Sequence, residues 1–82
     1  MVKTEQTPNP NTLKFLPGKK VSEIGSLEFL KGDKDINIPL ANKILSLEGI
    51  VMVFFGEDFI TVKKADNLNW DDVKHEIISE VN

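Results

Sequence analysis

The sequence contains no cysteine. That excludes disulfides, thiolate nucleophiles and a self-contained Cys-ligated iron–sulfur or zinc site, and it fits a reducing compartment. Arginine is absent as well: all ten basic residues are lysine, and the formal net charge is −3. A nucleic-acid binder carries a basic excess and arginines for bidentate contacts, so no nucleic-acid partner is expected. No apolar run approaches the ~20 residues of a membrane helix. The start, Met1–Glu5, has neither the apolar core of a signal peptide nor an arginine-rich transit pattern. No membrane partner is expected, and a cytoplasmic protein, or a mature form already processed, is. A Gly-rich phosphate loop is missing, and Ser22, Ser26, Ser46 and Ser79 lack the local signature of an activated nucleophile. The single histidine, without cysteine, makes a poor transition-metal site.

What remains is 82 residues, 40% hydrophobic and 28% charged, which predicts one folded domain over residues 1–82. The most apolar and β-branched stretch is Ile50–Lys64, which reads as two strands joined at Gly56-Glu57-Asp58. Upstream, Val2–Gln6 reads as an edge strand. Thr12–Leu16 alternates, with Leu13 and Phe15 on one face, and pairs antiparallel to it. Ser26–Leu30 gives a third strand. Val21 and Ile24 are possible anchors in the polar Lys19–Gly25 connection, and Lys31–Asn37 is a charged surface loop. Pro39–Glu48 forms a first helix with Leu40, Ile44 and Leu47 on one stripe and Ala41 and Leu45 beside it. Asn37 is its expected cap, and Gly49 suits the left-handed position that folds Ile50 back onto Leu45. Asn69–Val81 forms a second helix, capped by Asn69, with Asp71 and Asp72 against the dipole, a staple of Leu68 on Val73, and Trp70, Val73, Ile77 and Val81 as its buried stripe. The order is β-β-β-α-β-β-α. The fold class expected is α+β, an antiparallel β-sheet with two α-helices packed on one face.

Candidate sites are few. Asp71, Asp72 and His75 share helical spacing and carry metal-capable groups, but a solvated helix face accounts for them. Lys19-Lys20 and Lys63-Lys64 read as solvated pairs. The better candidate is the loop Thr7, Pro8, Asn9, Pro10, Asn11. Its two prolines fix φ, and its asparagines can close Asx turns, so it is polar, stiff and tied to a sheet edge. In the hairpin, taking Gly56-Glu57-Asp58 as the loop pairs Phe55 with Phe59 and Phe54 with Ile60. Met52, Phe54, Ile60 and Val62 then face the helices. Val51, Val53, Phe55, Phe59 and Thr61 lie on the other side, which is unusually apolar for solvent. That side is expected to be covered in part by the Lys19–Asn37 connection or to dock a partner. The partner-binding set is therefore Thr7–Asn11 with Phe55, Glu57, Asp58 and Phe59.

Together, Thr7-Pro8-Asn9-Pro10-Asn11-Thr12-Leu13-Lys14-Phe15, Pro17-Gly18, Pro39-Leu40-Ala41, Glu48-Gly49, Val53-Phe54-Phe55-Gly56, Asp58-Phe59-Ile60-Thr61-Val62 and Trp70 resemble the N-terminal domain of Nfu-type (NifU-like) iron–sulfur scaffold proteins. The resemblance covers essentially the whole chain. It implies a non-enzymatic role in iron–sulfur cluster assembly or delivery. In that family a separate C-terminal domain carries a Cys-x-x-Cys motif, and two such domains hold a [4Fe–4S] cluster. No cofactor is therefore expected in this chain, and no ligand residue is carried over. The expected partners are iron–sulfur assembly or client proteins and the cysteine-bearing domain. The compartment is cytoplasmic or, alternatively, the mitochondrial matrix. Ile38 stands where relatives have a capping serine, and His75 where a proline is common. The chain reads as an excised accessory domain or a free-standing version of it. A free-standing interaction module outside cluster biology is the alternative.

Overall fold

The computed structural model describes residues 2–22, 25–34 and 36–81, so the anchor expected at Ile24 lies outside the described residues. The elements are β1 (Lys3–Gln6), β2 (Thr12–Leu16), β3 (Leu27–Leu30), α1 (Pro39–Leu45), β4 (Ile50–Phe55), β5 (Ile60–Lys64) and α2 (Trp70–Val81). The order is the one expected. All pairings are antiparallel, and the sheet runs β1-β2-β5-β4-β3, leaving β1 and β3 as its edges.

Alternation decides which face is covered. Leu13 and Phe15 of β2, Ile60 and Val62 of β5, and Val53 and Phe55 of β4 are buried in one cluster with Ala41 and Ile44 of α1 and Val73, Ile77 and Val81 of α2. Phe15, Ile44, Ile50, Ile60 and Ile77 are fully buried, and each contributes roughly 1.5–3 kcal/mol through lost contact with water. Both helices lie on this one face.

The hairpin register differs from the expectation by one residue. Phe55 pairs with Ile60, Phe54 with Thr61 and Val53 with Val62. The turn therefore spans four residues, closed by the Gly56 N–H donating to the Phe59 carbonyl at 2.9 Å. A one-residue slip exchanges the faces of a strand. Val53 and Phe55, not Met52 and Phe54, face the helices, while Ile60 and Val62 lie where expected. A bulge between Ile50 and Met52 shifts the alternation again and returns Ile50 to the core. The outer face is consequently mixed: half-buried Met52, Phe54 and Thr61 stand among Lys14, Lys63 and Glu28. Among the described residues of the Lys19–Asn37 connection, the apolar Val21 and Ile36 pack against the core cluster rather than over this outer face.

Helix α1 also departs from its expected bounds. It ends at Leu45 rather than Glu48, where Ser46 leaves the helix and its hydroxyl donates to the Lys43 carbonyl at 2.6 Å. Ala41, Ile44 and Leu45 are its buried residues, and Leu40 and Leu47 lie at the margin. The N-cap is Ile38, with no side-chain cap, because Asn37 is one residue too early. Gly49 does adopt a positive φ of 85°, but within a turn closed by Ile50 N–H to the Leu47 carbonyl at 3.2 Å rather than a helix cap. At α2 the expected cap is present: Asn69 Oδ1 accepts the Asp71 N–H at 3.0 Å.

Candidate functional site

The β1–β2 loop is held by its own side chains. Asn9 Oδ1 accepts the Asn11 N–H at 2.9 Å, and Thr7 Oγ1 accepts the Asn9 N–H at 3.2 Å. The Thr12 N–H closes the turn on the Asn9 carbonyl at 3.0 Å. With two prolines fixing φ, these bonds make the loop stiff while leaving Pro8, Asn9 and Pro10 exposed.

The loop is then tied to the start of α2. The Trp70 indole N–H donates to the Pro10 carbonyl at 3.1 Å. Trp70 is half-buried rather than a fully buried stripe residue, with its ring edge-on to Phe15 at 6.3 Å. Asn11 is the hinge point of the arrangement. Its carbonyl accepts the Lys64 backbone N–H at 2.8 Å, its side-chain oxygen accepts the Lys64 ammonium at 3.0 Å, and its side-chain N–H₂ donates to Asp66. Lys64 is only 7% exposed, which corrects the expectation of a solvated Lys63-Lys64 pair: only Lys63 is exposed. The reason is alternation, since Lys64 follows Ile60 and Val62 on the buried side of β5. Its ammonium lies 5.9 Å from the centre of the Trp70 ring and meets neutral acceptors, Asn11 and the Ala65 carbonyl.

Beside this junction a groove of about 530 Å³ runs between β1 and α2. Thr4 and Gln6 form its strand side, Trp70, Asp71 and Lys74 its helix side, and the loop from Thr7 to Pro10 closes one end. The arrangement is a recess with amide and hydroxyl groups, one aromatic wall, and one carboxylate and one ammonium, Asp71 and Lys74, on its helix side. It suits binding rather than acid–base chemistry.

The other expected residues lie elsewhere. Thr12 pairs with Lys63 and Phe15 with Ile60, so the loop and the β4–β5 turn sit at opposite ends of β5, about 13 Å apart along the strand. Phe55 is 1% exposed in the core and offers no surface to a partner. Phe59 is half-buried on the outer face, stacked on Phe54 at 6.0 Å, with the Lys14 ammonium 4.5 Å from its ring centre. Glu57 and Asp58 are exposed at the tip, where the Glu57 carbonyl accepts the Val21 N–H at 2.8 Å. The structure therefore does not join the two halves of the expected surface. Asp71, Asp72 and His75 are exposed along α2, and among the described residues no three His, Cys, Asp or Glu side chains converge to hold a metal ion. Lys64, Asp66 and Lys74 were absent from the expected set; the alternation of β5 carried the signal for Lys64.

Residues 2–82 match the model of the family described as scaffold protein Nfu/NifU N terminal. The NifU-like protein 4, mitochondrial, of Arabidopsis thaliana is 48% identical over 80 residues, 98% of this chain and 28% of that protein. The human NFU1 iron-sulfur cluster scaffold homolog, mitochondrial, is 42% identical over 81 residues, 98% of this chain and 32% of that protein. The chain thus spans under a third of the length of these relatives. Among solved structures, a NifU-like protein of Saccharomyces cerevisiae superposes with a TM-score of 0.86 at 31% identity, covering 99% of this chain and 74% of the other. A Staphylococcus aureus protein superposes with a TM-score of 0.83 at 30% identity, covering 98% of this chain and 95% of the other.

Proposed function

This chain belongs to the scaffold protein Nfu/NifU N-terminal family, and from that premise we propose that it is an accessory, partner-binding domain for iron–sulfur cluster assembly or delivery. It holds no cluster and catalyses no reaction. Without cysteine it has no thiolate ligand for iron, and the [4Fe–4S] cluster belongs to a separate Cys-x-x-Cys domain. The relatives from plant and human named as mitochondrial support a mitochondrial over a cytoplasmic compartment.

The Thr7–Asn11 loop carries this reading. It presents exposed prolines and amides, yet Trp70 and Lys64 anchor it to α2 and β5. A loop that is both polar and prefixed loses little entropy on binding, which is what a docking surface requires. The β4–β5 tip, with Glu57, Asp58 and Phe59, is a separate and secondary surface.

The test is a chemical-shift titration of the ¹⁵N-labelled chain with a cysteine-bearing Nfu-type domain and, separately, with an iron–sulfur client apoprotein. Saturable shifts centred on Thr7–Asn11 and Trp70 are expected. Shifts confined to the β4–β5 tip, or none with either protein, would overturn the reading. The near-complete coverage of the staphylococcal chain favours a second reading, a free-standing interaction module. That reading is preferred if the partners recovered from cells contain no iron–sulfur protein.

A further inference from the structure

We propose that the free edge of β1 and the groove beside it receive an extended segment of a partner protein as an added strand. The inference rests on the partner-binding reading above and specifies how the partner is held. Among the described residues β1 ends the sheet and pairs with β2 alone. In an antiparallel pair, alternate residues direct both backbone groups at the neighbour. Two of the four residues of β1 therefore point an N–H and a C=O away from the sheet. Among the described residues no other backbone group bonds to them.

The groove supplies the second half of the site. Thr4 and Gln6, opposite Phe15 and Leu13 in register, lie on the helix side of the sheet. Trp70, Asp71 and Lys74 face them from α2, and the Thr7–Pro10 turn closes one end. A recess flanked by an unpaired strand and a helix is the geometry of strand addition. Main-chain bonds to the edge give affinity, and alternate side chains entering the recess give specificity. Its volume, about 530 Å³, lies within the usual range of roughly 300–1,000 Å³ for a binding pocket.

The chemistry of the occupant follows from the walls. Thr4 and Gln6 on one wall and Asp71 and Lys74 on the other make the recess polar, so it favours polar side chains at alternate positions, able to bond to the amide, the hydroxyl or either charge. On the outer face the added strand lies beside Lys3 and Glu5; Glu5 already faces the Lys14 ammonium at 3.8 Å, so the preference falls on an acidic residue beside Lys3. Proline is excluded wherever the partner donates to β1. A second copy of this chain is the poorer occupant, because a four-residue edge bearing Lys3 resists edge-to-edge pairing of folded sheets.

The experiment selects displayed random nonapeptides on the immobilised chain and titrates the recovered peptide into ¹⁵N-labelled protein. Shifts are expected in Lys3–Gln6, the Thr7–Asn11 loop, Trp70 and Lys74, with slowed exchange at alternate β1 amides. The peptide is then N-methylated at one alternate set of residues or at the other. One set should lose roughly two- to tenfold in affinity per main-chain bond removed, and the other should bind as before. Failure to select a saturable binder, equal binding by both methylated peptides, or shifts confined to Phe54 and Phe59 each overturns the proposal. So does a concentration-dependent dimer, by sedimentation, that the peptide does not displace. If the cysteine-bearing domain shifts the loop without protecting β1 amides, strand addition fails and the functional reading stands. Strand addition by peptides with no response to iron–sulfur proteins fails the functional reading instead.

Discussion

Replacing Asn11 with alanine tests whether the loop is fixed by the buried lysine. In the folded protein the Lys64 ammonium has two acceptors, Asn11 Oδ1 at 3.0 Å and the Ala65 carbonyl at 3.4 Å. Asn11→Ala removes the shorter and leaves a cation only 7% exposed with one long bond. A hydrogen bond to a charged group contributes about 1.5–3 kcal/mol. The exposed bond from Asn11 to Asp66 adds little, so about 2 kcal/mol is expected. For a domain of this size each kcal/mol moves Tm by roughly 4–8 °C, which gives about 8–16 °C. Urea unfolding followed by fluorescence reads it directly, since Trp70 is the sole tryptophan, and the midpoint should fall at constant slope. The decisive measurement is the cycle with Lys64→Met, which keeps the aliphatic stem and removes the charge. In that background Asn11→Ala should cost less than about 1 kcal/mol, a coupling of about 1–2 kcal/mol. Equal cost in both backgrounds, or a single-variant cost below about 0.5 kcal/mol, would refute the reasoning: the ammonium would then be reaching water without Asn11.

Trp70→Phe keeps an aromatic ring beside Phe15 but deletes the donor to Pro10. It should cost about 0.5–1.5 kcal/mol by circular dichroism melting and speed amide exchange selectively at Asn9–Asn11. Gly49→Ala and Gly32→Ala both place a side chain at positive φ, at a cost of about 1–2 kcal/mol. Only at Gly49 would the new Cβ come within 2.4 Å of Leu68 Cδ2, so that variant should be the less stable of the two by a further ~1 kcal/mol in urea. Phe59→Ala removes the stack on Phe54 at about 0.5–1.5 kcal/mol and should leave the shift response of Thr7–Asn11 to partners unchanged.

Local chemistry made much of the fold legible. Thr12–Leu16 alternates cleanly and is bounded by turn residues, so β2 runs as expected. Asn69 and the two following acids mark the start of α2 because capping is a local interaction. The β4–β5 hairpin was different. Ile50–Phe55 is apolar at every position, so no polar side chain marks which face meets solvent, and the register rests on whether Phe59 belongs to the turn or the strand. The bulge after Ile50 compounds this, because nothing local announces it. The site was legible only in half. The turn chemistry of Thr7–Asn11 identified the loop, but the partners that fix it are 53 to 60 residues away and join it through sheet order. Sheet order also separates the loop from the β4–β5 tip, which the sequence alone had grouped with it.

The bonds from Asn11 to Asp66 and from Trp70 to Pro10 join residues 55 and 60 positions apart. During synthesis at roughly 5–20 residues per second, Pro10 therefore waits about 3–12 s for the tryptophan that locks it. Over that interval β1 and the loop also lack β5, the strand on which β2 rests. The surface offered to partners is thus completed only when nearly the whole domain has been made, and a ribosome-bound fragment ending before α2 cannot present it in finished form.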